Sequence, residues 1–331
     1  MRVGNCTCAA LLFQGLALAS CITVDEARLF GADGTPDLSA ITLSGDSFEG
    51  QGPLMASSAR NERIGPPGRS LALSRLRWDE VTHILTADRH DEITQTSSTE
   101  DVDPLILYCG GARFDRRSEG FANSFALMQF GEAITWDYPG AGQSEGSPTL
   151  EGMSNAADAL ADWVDAEAAS RPLVLWGHSM GGAVCAEIAT RSKEVDLLVI
   201  EASFADPSRA AVTTARAYFP FVSVRLADSL QLTSIADTLE SFDKPVIVFG
   251  AALDRVLPVE QHRALARALG AREGWDLPQA SAMQKPRLYH EVPDARHLTV
   301  KYHPNAKRVI LGAYSQLGWD YTPPNISIKY H

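Results

Sequence analysis

Residues 173 to 184 read "LVLWGHSMGGAV": four apolar residues, then Gly-His-Ser-Met-Gly-Gly, then small residues that suit a helix. The run Leu173 to Trp176 lacks period-2 alternation, as expected of a strand buried on both faces in a parallel sheet. Gly177, Ser179 and Gly181 fit G-x-S-x-G, in which glycines let the backbone fold tightly around a serine held in a strained conformation. A serine raised clear of a sheet at the first turn of a helix is placed to act as a nucleophile. The amide of the next residue, here Met180, then points at a developing oxyanion. A serine hydroxyl is weak at neutral pH, so this chemistry also requires a base, an acid that orients the base and a second oxyanion donor.

The elements that must position such groups alternate along the chain. "LALSRLRW" (71–78) and "VTHILTAD" (81–88) read as an initial antiparallel pair, and "LILYCGG" as a buried strand entering a glycine turn. A helical pattern with Phe121, Phe125 and Met128 follows, then "AITWDYPGAGQSEG", a strand running into a glycine-rich loop. Ala156, Leu160, Trp163 and Val164 mark one face of an amphipathic helix that ends before Pro172. After the serine strand and its helix come "VDLLVIEA", a polar and aromatic helical insert, "KPVIVFG", the helix "VEQHRALARALG", "RLYHEVP" and a last helix within 299–317. Such alternation predicts an α/β fold, a mostly parallel sheet with right-handed crossovers and an antiparallel edge.

With 331 residues, 45% of them hydrophobic, the chain is long enough for one large α/β domain. A formal charge of −12, with no basic cluster, argues against nucleic acid as a partner. Residues 1–20 read as a signal peptide: Arg2 precedes an apolar stretch, 9–20, too short to span a bilayer. It ends in "LASC", similar to the lipobox of bacterial lipoproteins, which would make Cys21 a lipid attachment site in the cell envelope, with Ile22 favouring the outer membrane. The alternative is cleavage after Ala17-Leu18-Ala19, giving a soluble periplasmic or secreted protein. Cys6 and Cys8 leave with the signal, so only Cys109 and Cys185 stay in the folded part, both read as small buried residues. Residues 21–70 are rich in Gly, Ser, Pro and Asp and read as a tether; the catalytic domain is expected over 71–331.

Over roughly residues 75 to 318 the sequence closely resembles the α/β-hydrolase superfamily. Four motifs in order carry the resemblance: "LYCGGA", "DYPGAGQSEG", "GHSMGG" and the pair "GAALDRVLP" and "PDARHL". The resemblance implies a mostly parallel central sheet of about eight strands flanked by helices. It also makes 207–243 a short helical cap, similar to that of abhydrolase-type serine esterases, thioesterases and serine-aminopeptidase-like hydrolases.

The resemblance assigns Asp254 as the acid, in a loop at the carboxyl end of a strand, where open α/β sheets place functional groups. Asp206 and Glu201, near the end of the preceding strand, are rival acids. His297 is the base, following the last strand and satisfying the serine, acid, histidine order at 179, 254 and 297. His290 and His178 read as packing or positioning residues. Aligning Cys109-Gly110 with the family's His-Gly turn makes the Gly111 amide the second oxyanion donor beside that of Met180, with Ala112 as fallback. Cys109 replaces the usual histidine, so the anchoring of that turn must differ.

These assignments describe a serine hydrolase that cleaves carboxyl ester or thioester bonds of small to medium acyl groups through an acyl-enzyme. Its substrate is a small-molecule, lipid or protein acyl ester. No metal or organic cofactor is called for, and no HExxH, CxxC pair or P-loop occurs. Cys109, Tyr218, Phe219, Pro220 and Phe221 are candidate pocket residues. A serine peptidase of aminopeptidase type, or a catalytically silent envelope-anchored scaffold, are the alternatives. Residues 272–286 read as a site-side loop or plain surface.

Overall fold

The computed structural model describes residues 21–24, 60–77, 103–112, 114–116, 119–168, 171–218, 223–227, 232–274 and 285–323. Eleven strands fall within them: β1 Cys21–Val24, β2 Arg60–Ile64, β3 Leu71–Leu76, β4 Leu105–Cys109, β5 Glu132–Trp136, β6 Leu173–His178, β7 Val195–Glu201, β8 Ser223–Leu226, β9 Val246–Ala251, β10 Arg272–Glu273 and β11 Arg287–Val292. Nine of these form one sheet, in the order β10-β11-β9-β7-β6-β4-β5-β3-β2. Only β2 with β3 and β3 with β5 pair antiparallel in it. The alternation of apolar strands and amphipathic helices thus yields the mostly parallel sheet expected. Every residue of β4, β5, β6 and β9 is buried, because helices cover both faces.

The helices are α1 Glu119–Leu127, α2 Leu150–Ala168, α3 Met180–Arg191, α4 Pro207–Tyr218, α5 Ile235–Thr238, α6 Val259–Ala268 and α7 Pro304–Gln316. α2 buries Met153, Ala156, Ala157, Leu160, Ala161, Val164 and Ala168, the three-to-four spacing of a helix lying on a sheet. α7 begins with Pro304 in its first turn, and His303 caps it by accepting the Asn305 amide at 3.1 Å.

Sequence order crosses over at β4: β5 lies on one side of it and β6 on the other, with Cys109 opposite Gly177 in the register. Open α/β sheets bind ligands outside the carboxyl ends of strands at such a crossing point. Ser179 and Gly111, which follow β6 and β4, both emerge there.

Three expectations need correction. The antiparallel edge is β2 with β3, in the register Arg60↔Arg75 to Ile64↔Leu71, and "VTHILTAD" lies outside the described residues. The folded part therefore begins by residue 60, and 60–70 belong to the sheet rather than to a tether. Polar side chains hid this strand: Arg63 donates to Ser70 Oγ at 2.7 Å and to the Gln143 carbonyl at 2.9 Å, which suits an edge strand open to water. At the other end of the supposed tether, Cys21–Val24 pairs in parallel with β8 of the cap. The stretch between, 25–59, lies outside the described residues, as does the signal-peptide segment 1–20.

α3 packs against the sheet with no room for side chains at its start. A Cβ on Gly181 would stand 2.0 Å from the Cys109 carbonyl oxygen, whereas one on Gly312 in α7 would meet nothing within 4 Å. Gly181→Ala should destabilise the protein by about 3 kcal/mol or more, through overpacking against rigid backbone. Gly312→Ala should stabilise it by about 0.5–1 kcal/mol. Urea denaturation of both variants checks the contrast.

Candidate active site

The turn between β6 and α3 forces Ser179 to φ 54°, ψ −121°, and Ala202, after the adjacent β7, to φ 47°. Among the described residues these are the two non-glycine positions with positive φ, each a conformation costing about 1–3 kcal/mol. Neighbouring backbone holds the strained serine in place. Its amide donates to the Glu201 carbonyl at 2.9 Å, and its carbonyl accepts from the Gly182 amide at 3.0 Å and from Ser203 Oγ at 2.7 Å. Ser179 is half-buried, so its side chain is open to a reactant.

Met180 is the first residue of α3, so its amide has no carbonyl partner within the helix and lies at the positive end of the helix dipole. Gly111 borders the same spot: a Cβ there would lie 3.3 Å from His178 Nδ1 and 3.4 Å from Ser179 Cβ. Where the family pattern has a histidine, the turn is anchored differently. Tyr138 of "DYPGAGQSEG" donates its hydroxyl proton to the Gly110 carbonyl, and the Phe114 ring occupies the space a Gly110 side chain would need. The Cys109 thiol does not line the site. It is buried 2.6 Å from Cys185 Sγ, between β4 and α3, because strand alternation turns it under the helix.

His297 meets Asp254 across the loops after β11 and β9. Its Nδ1 lies 2.6 Å from Asp254 Oδ2, while Asp254 Oδ1 accepts the amides of Val256 at 2.8 Å and Leu257 at 2.9 Å. Burial opposes the charge on Asp254, but contacts with His262 and His297 and the Leu257 amide outweigh it and hold the carboxyl well below the usual range. Asp254 is therefore a carboxylate throughout the neutral range. It fixes the His297 tautomer with the proton on Nδ1, leaving Nε2 as the free basic nitrogen.

His178 steadies the same loop from below. Its Nε2 lies 2.8 Å from the His297 carbonyl, which can only accept, so His178 carries its proton on Nε2. The two rings meet edge to face with centroids 4.7 Å apart. Burial, then the neighbouring His297 and Lys301, push the His178 imidazole well below its ordinary value and keep it neutral.

The rival acids are engaged elsewhere. Asp206 Oδ1 accepts the Arg209 amide at 2.9 Å as the start of α4. Glu201 is fully buried; Oε2 accepts Trp176 Nε1 at 2.8 Å and Oε1 accepts Lys301 Nζ at 3.0 Å. Lys301 also donates to the Leu298 carbonyl at 3.3 Å, tying the His297 loop to β7. His290 lies within β11 against the Phe249 ring. Among the candidate pocket residues, Tyr218 ends α4, and its side chain, with Phe219, Pro220 and Phe221, lies outside the described residues. So do residues 275–284 of the 272–286 segment. Among the described residues no cluster of three or more metal-ligand side chains occurs.

The family model described as serine aminopeptidase, S33, matches residues 105–234, which hold the oxyanion turn and Ser179 but end before Asp254 and His297. The chain is 26% identical over 188 residues to human protein ABHD12B, covering 51% of each chain. It is 27% identical over 202 residues to the lysophosphatidylserine lipase ABHD12 of Xenopus tropicalis, covering 55% of this chain and 51% of that one. The chain thus spans about half the length of these relatives. The esterase Pf2001 of Pyrococcus furiosus superposes over 81% of this chain and 93% of its own, with a TM-score of 0.53 at 15% identity.

The described residues have the α/β-hydrolase fold, and residues 105–234 resemble the serine aminopeptidase, S33, family of that superfamily. Within that superfamily's fold, Ser179, His297 and Asp254 stand on the loops after β6, β11 and β9, the arrangement of a serine hydrolase. Lys301, Tyr138, Ser203 and His262 support these loops and were not among the residues the sequence singled out. Only Lys301 left a trace, as a charge within the apolar spacing of "TVKYH".

Lys301→Met should cost about 3–5 kcal/mol in urea denaturation, because it leaves Glu201 buried and unpaired. Adding Glu201→Gln should recover part of the loss. A separate pH effect follows from His290, whose imidazole burial pushes down to about 4. Between its unfolded value near 6.5 and that folded value the unfolded chain binds the extra proton, so stability present above pH 6.5 is lost as pH falls. His290→Gln should lessen the loss of stability between pH 7 and pH 5 by about 2 kcal/mol relative to wild type.

Proposed function

We propose that this chain is a serine hydrolase that cleaves carboxyl ester or thioester bonds of small to medium acyl substrates through an acyl-enzyme on Ser179. The observation that carries the reading is the 2.6 Å contact between His297 Nδ1 and Asp254 Oδ2, on loops that border the strained Ser179. Ser179 Oγ attacks the carbonyl carbon while His297 Nε2 takes its proton, and the amides of Met180 and Gly111 receive the oxyanion. His297 returns the proton to the leaving alcohol or thiol. Water then attacks the acyl-enzyme by the same route and the carboxylic acid departs. Asp254 stabilises the imidazolium at each stage without itself taking the proton.

Apolar surface at the site favours an acyl substrate. The two exposed large hydrophobic side chains among the described residues, Leu253 and Leu298, adjoin Asp254 and His297 directly in sequence. The names of similar proteins, esterase and lysophosphatidylserine lipase, agree with ester substrates. The aminopeptidase description of the matching family model favours peptide cleavage as a second reading. For location, the proposal keeps an exported protein anchored by a lipid on Cys21. The mass of the mature amino terminus tests that part.

The test of the activity is hydrolysis of p-nitrophenyl esters from acetate to palmitate, with an aminoacyl p-nitroanilide as the peptidase arm. Ser179→Ala should lower kcat by at least about 10⁴-fold. Because Asp254 is ionised well below neutrality, its own titration should leave no inflection in the activity profile between pH 5 and pH 9. A folded wild-type protein that a fluorophosphonate probe does not label would overturn the reading in favour of a silent scaffold, and a Ser179→Ala variant labelled equally fast would overturn Ser179 as the nucleophile.

A further inference from the structure

Asp254 has a second histidine against it that the acyl-transfer steps do not use. His262, on α6 eight residues after the aspartate, is fully buried, with Nε2 3.3 Å from Asp254 Oδ2. On its other edge, Nδ1 lies 3.2 Å from the Ala251 backbone nitrogen, which donates to it. These two contacts decide the ring's protonation. A nitrogen that accepts an N–H carries no hydrogen, so the proton of His262 sits on Nε2 and faces the carboxylate. Protonating the ring would set an Nδ1–H against the Ala251 N–H, donor to donor.

We infer that His262 is a positioning residue for Asp254: a neutral imidazole, moored to the backbone at the end of β9, that holds Oδ2 in line with His297 Nδ1. This rests on the serine-hydrolase reading of Ser179, His297 and Asp254. The division of labour on the carboxylate is specific. Oδ1 is fixed by the Val256 and Leu257 amides, and Oδ2 takes a short hydrogen bond from His297 Nδ1 with His262 Nε2 beside it at 3.3 Å. With Oδ1 alone anchored, rotation of the carboxylate plane shifts Oδ2 relative to His297; the buried His262 edge, 3.3 Å from Oδ2, restrains that rotation. A neutral donor leaves the full negative charge for the imidazolium that forms on His297, whereas a lysine or arginine in its place would neutralise it. The other charge near His262 is Glu291, which is occupied by both nitrogens of the Arg263 fork at 2.7 Å and by the Tyr289 hydroxyl at 3.0 Å.

Side-chain length separates mooring from positioning. His262→Asn keeps an acceptor where Nδ1 stood, for the Ala251 amide, but is too short to reach Asp254. His262→Gln places an N–H where Nε2 stood. His262→Asn should lower kcat for the best p-nitrophenyl ester by about 10–100-fold with KM within about twofold, and His262→Gln should restore most of the loss. The proton NMR signal of the bridging His297 Nδ1–H, far downfield in wild type, should shift or broaden in the asparagine variant and return in the glutamine variant. A merely structural histidine moves neither the signal nor kcat apart from KM. The inference is overturned if folded His262→Asn keeps kcat within about twofold, if the bridging signal is unchanged, or if glutamine does no better than asparagine. Should His262→Asn fail to fold, His262→Phe, which keeps the ring volume and loses both polar contacts, is read against glutamine by the same criteria. Wild-type protein that neither turns over ester nor takes the fluorophosphonate label would instead count against the serine-hydrolase reading, and the NMR signal still decides the role of His262.

Discussion

The amino end of α3 rests directly on backbone. Gly177, Gly181 and Gly182 occupy places where a Cβ would stand 2.4 Å from the Gly181 carbonyl oxygen, 2.0 Å from that of Cys109 and 2.6 Å from Ser203 Oγ. Only hydrogen fits, and the helix can therefore start at the edge of the sheet, immediately after β6. The chain must reverse within one residue to make that start, which is why Ser179 sits at φ 54°. The strain is carried by the core around it: Trp176, Val199, Ile200 and Phe249 are fully buried beneath the turn. The same close approach brings the β4 turn, with Gly111, against the serine. The proposed nucleophile and its proposed oxyanion donors thus share one packing constraint.

Charge is distributed around this turn so that each buried group is answered. Asp254 is surrounded by N–H donors, His178 is kept neutral by burial while its Nε2 supports the His297 carbonyl, and Glu201 is matched by Lys301 and Trp176. Two buried carboxylates lie near the base, but only the one facing His297 Nδ1 is available to it. The other is held by an ammonium and works through the backbone, tethering Leu298 and so the loop that carries the base. Such pairs add little net stability but specify one arrangement of loops that chemistry requires.

Several features were legible because they are local. The apolar strand, the glycines around Ser179 and the alternation of strands with helices depend on short-range spacing and survive as read. The β2 edge strand was not legible, since its exposed, arginine-bearing surface has the composition of a linker and becomes a strand only when β3 pairs with it. Cys109 had two readings, a small buried residue and a pocket residue, and the structure has the first: the direction of its side chain depends on the pleat and on α3 lying across it.

The sequence by itself determined the type and order of the proposed reacting groups, serine before aspartate before histidine, each after a buried strand, because nucleophile turns and buried strands leave local patterns. Which carboxylate meets the histidine is shown only by tertiary structure. The resemblance assigned Asp254 on its motif, but Asp254, Glu201 and Asp206 all stand at strand ends or helix starts, and residue type alone does not separate them. The distinction comes from contacts 43 residues apart between Asp254 and His297, and 100 residues apart between Glu201 and Lys301. Partners so distant leave no spacing to read, and only a folded sheet brings their loops to one edge.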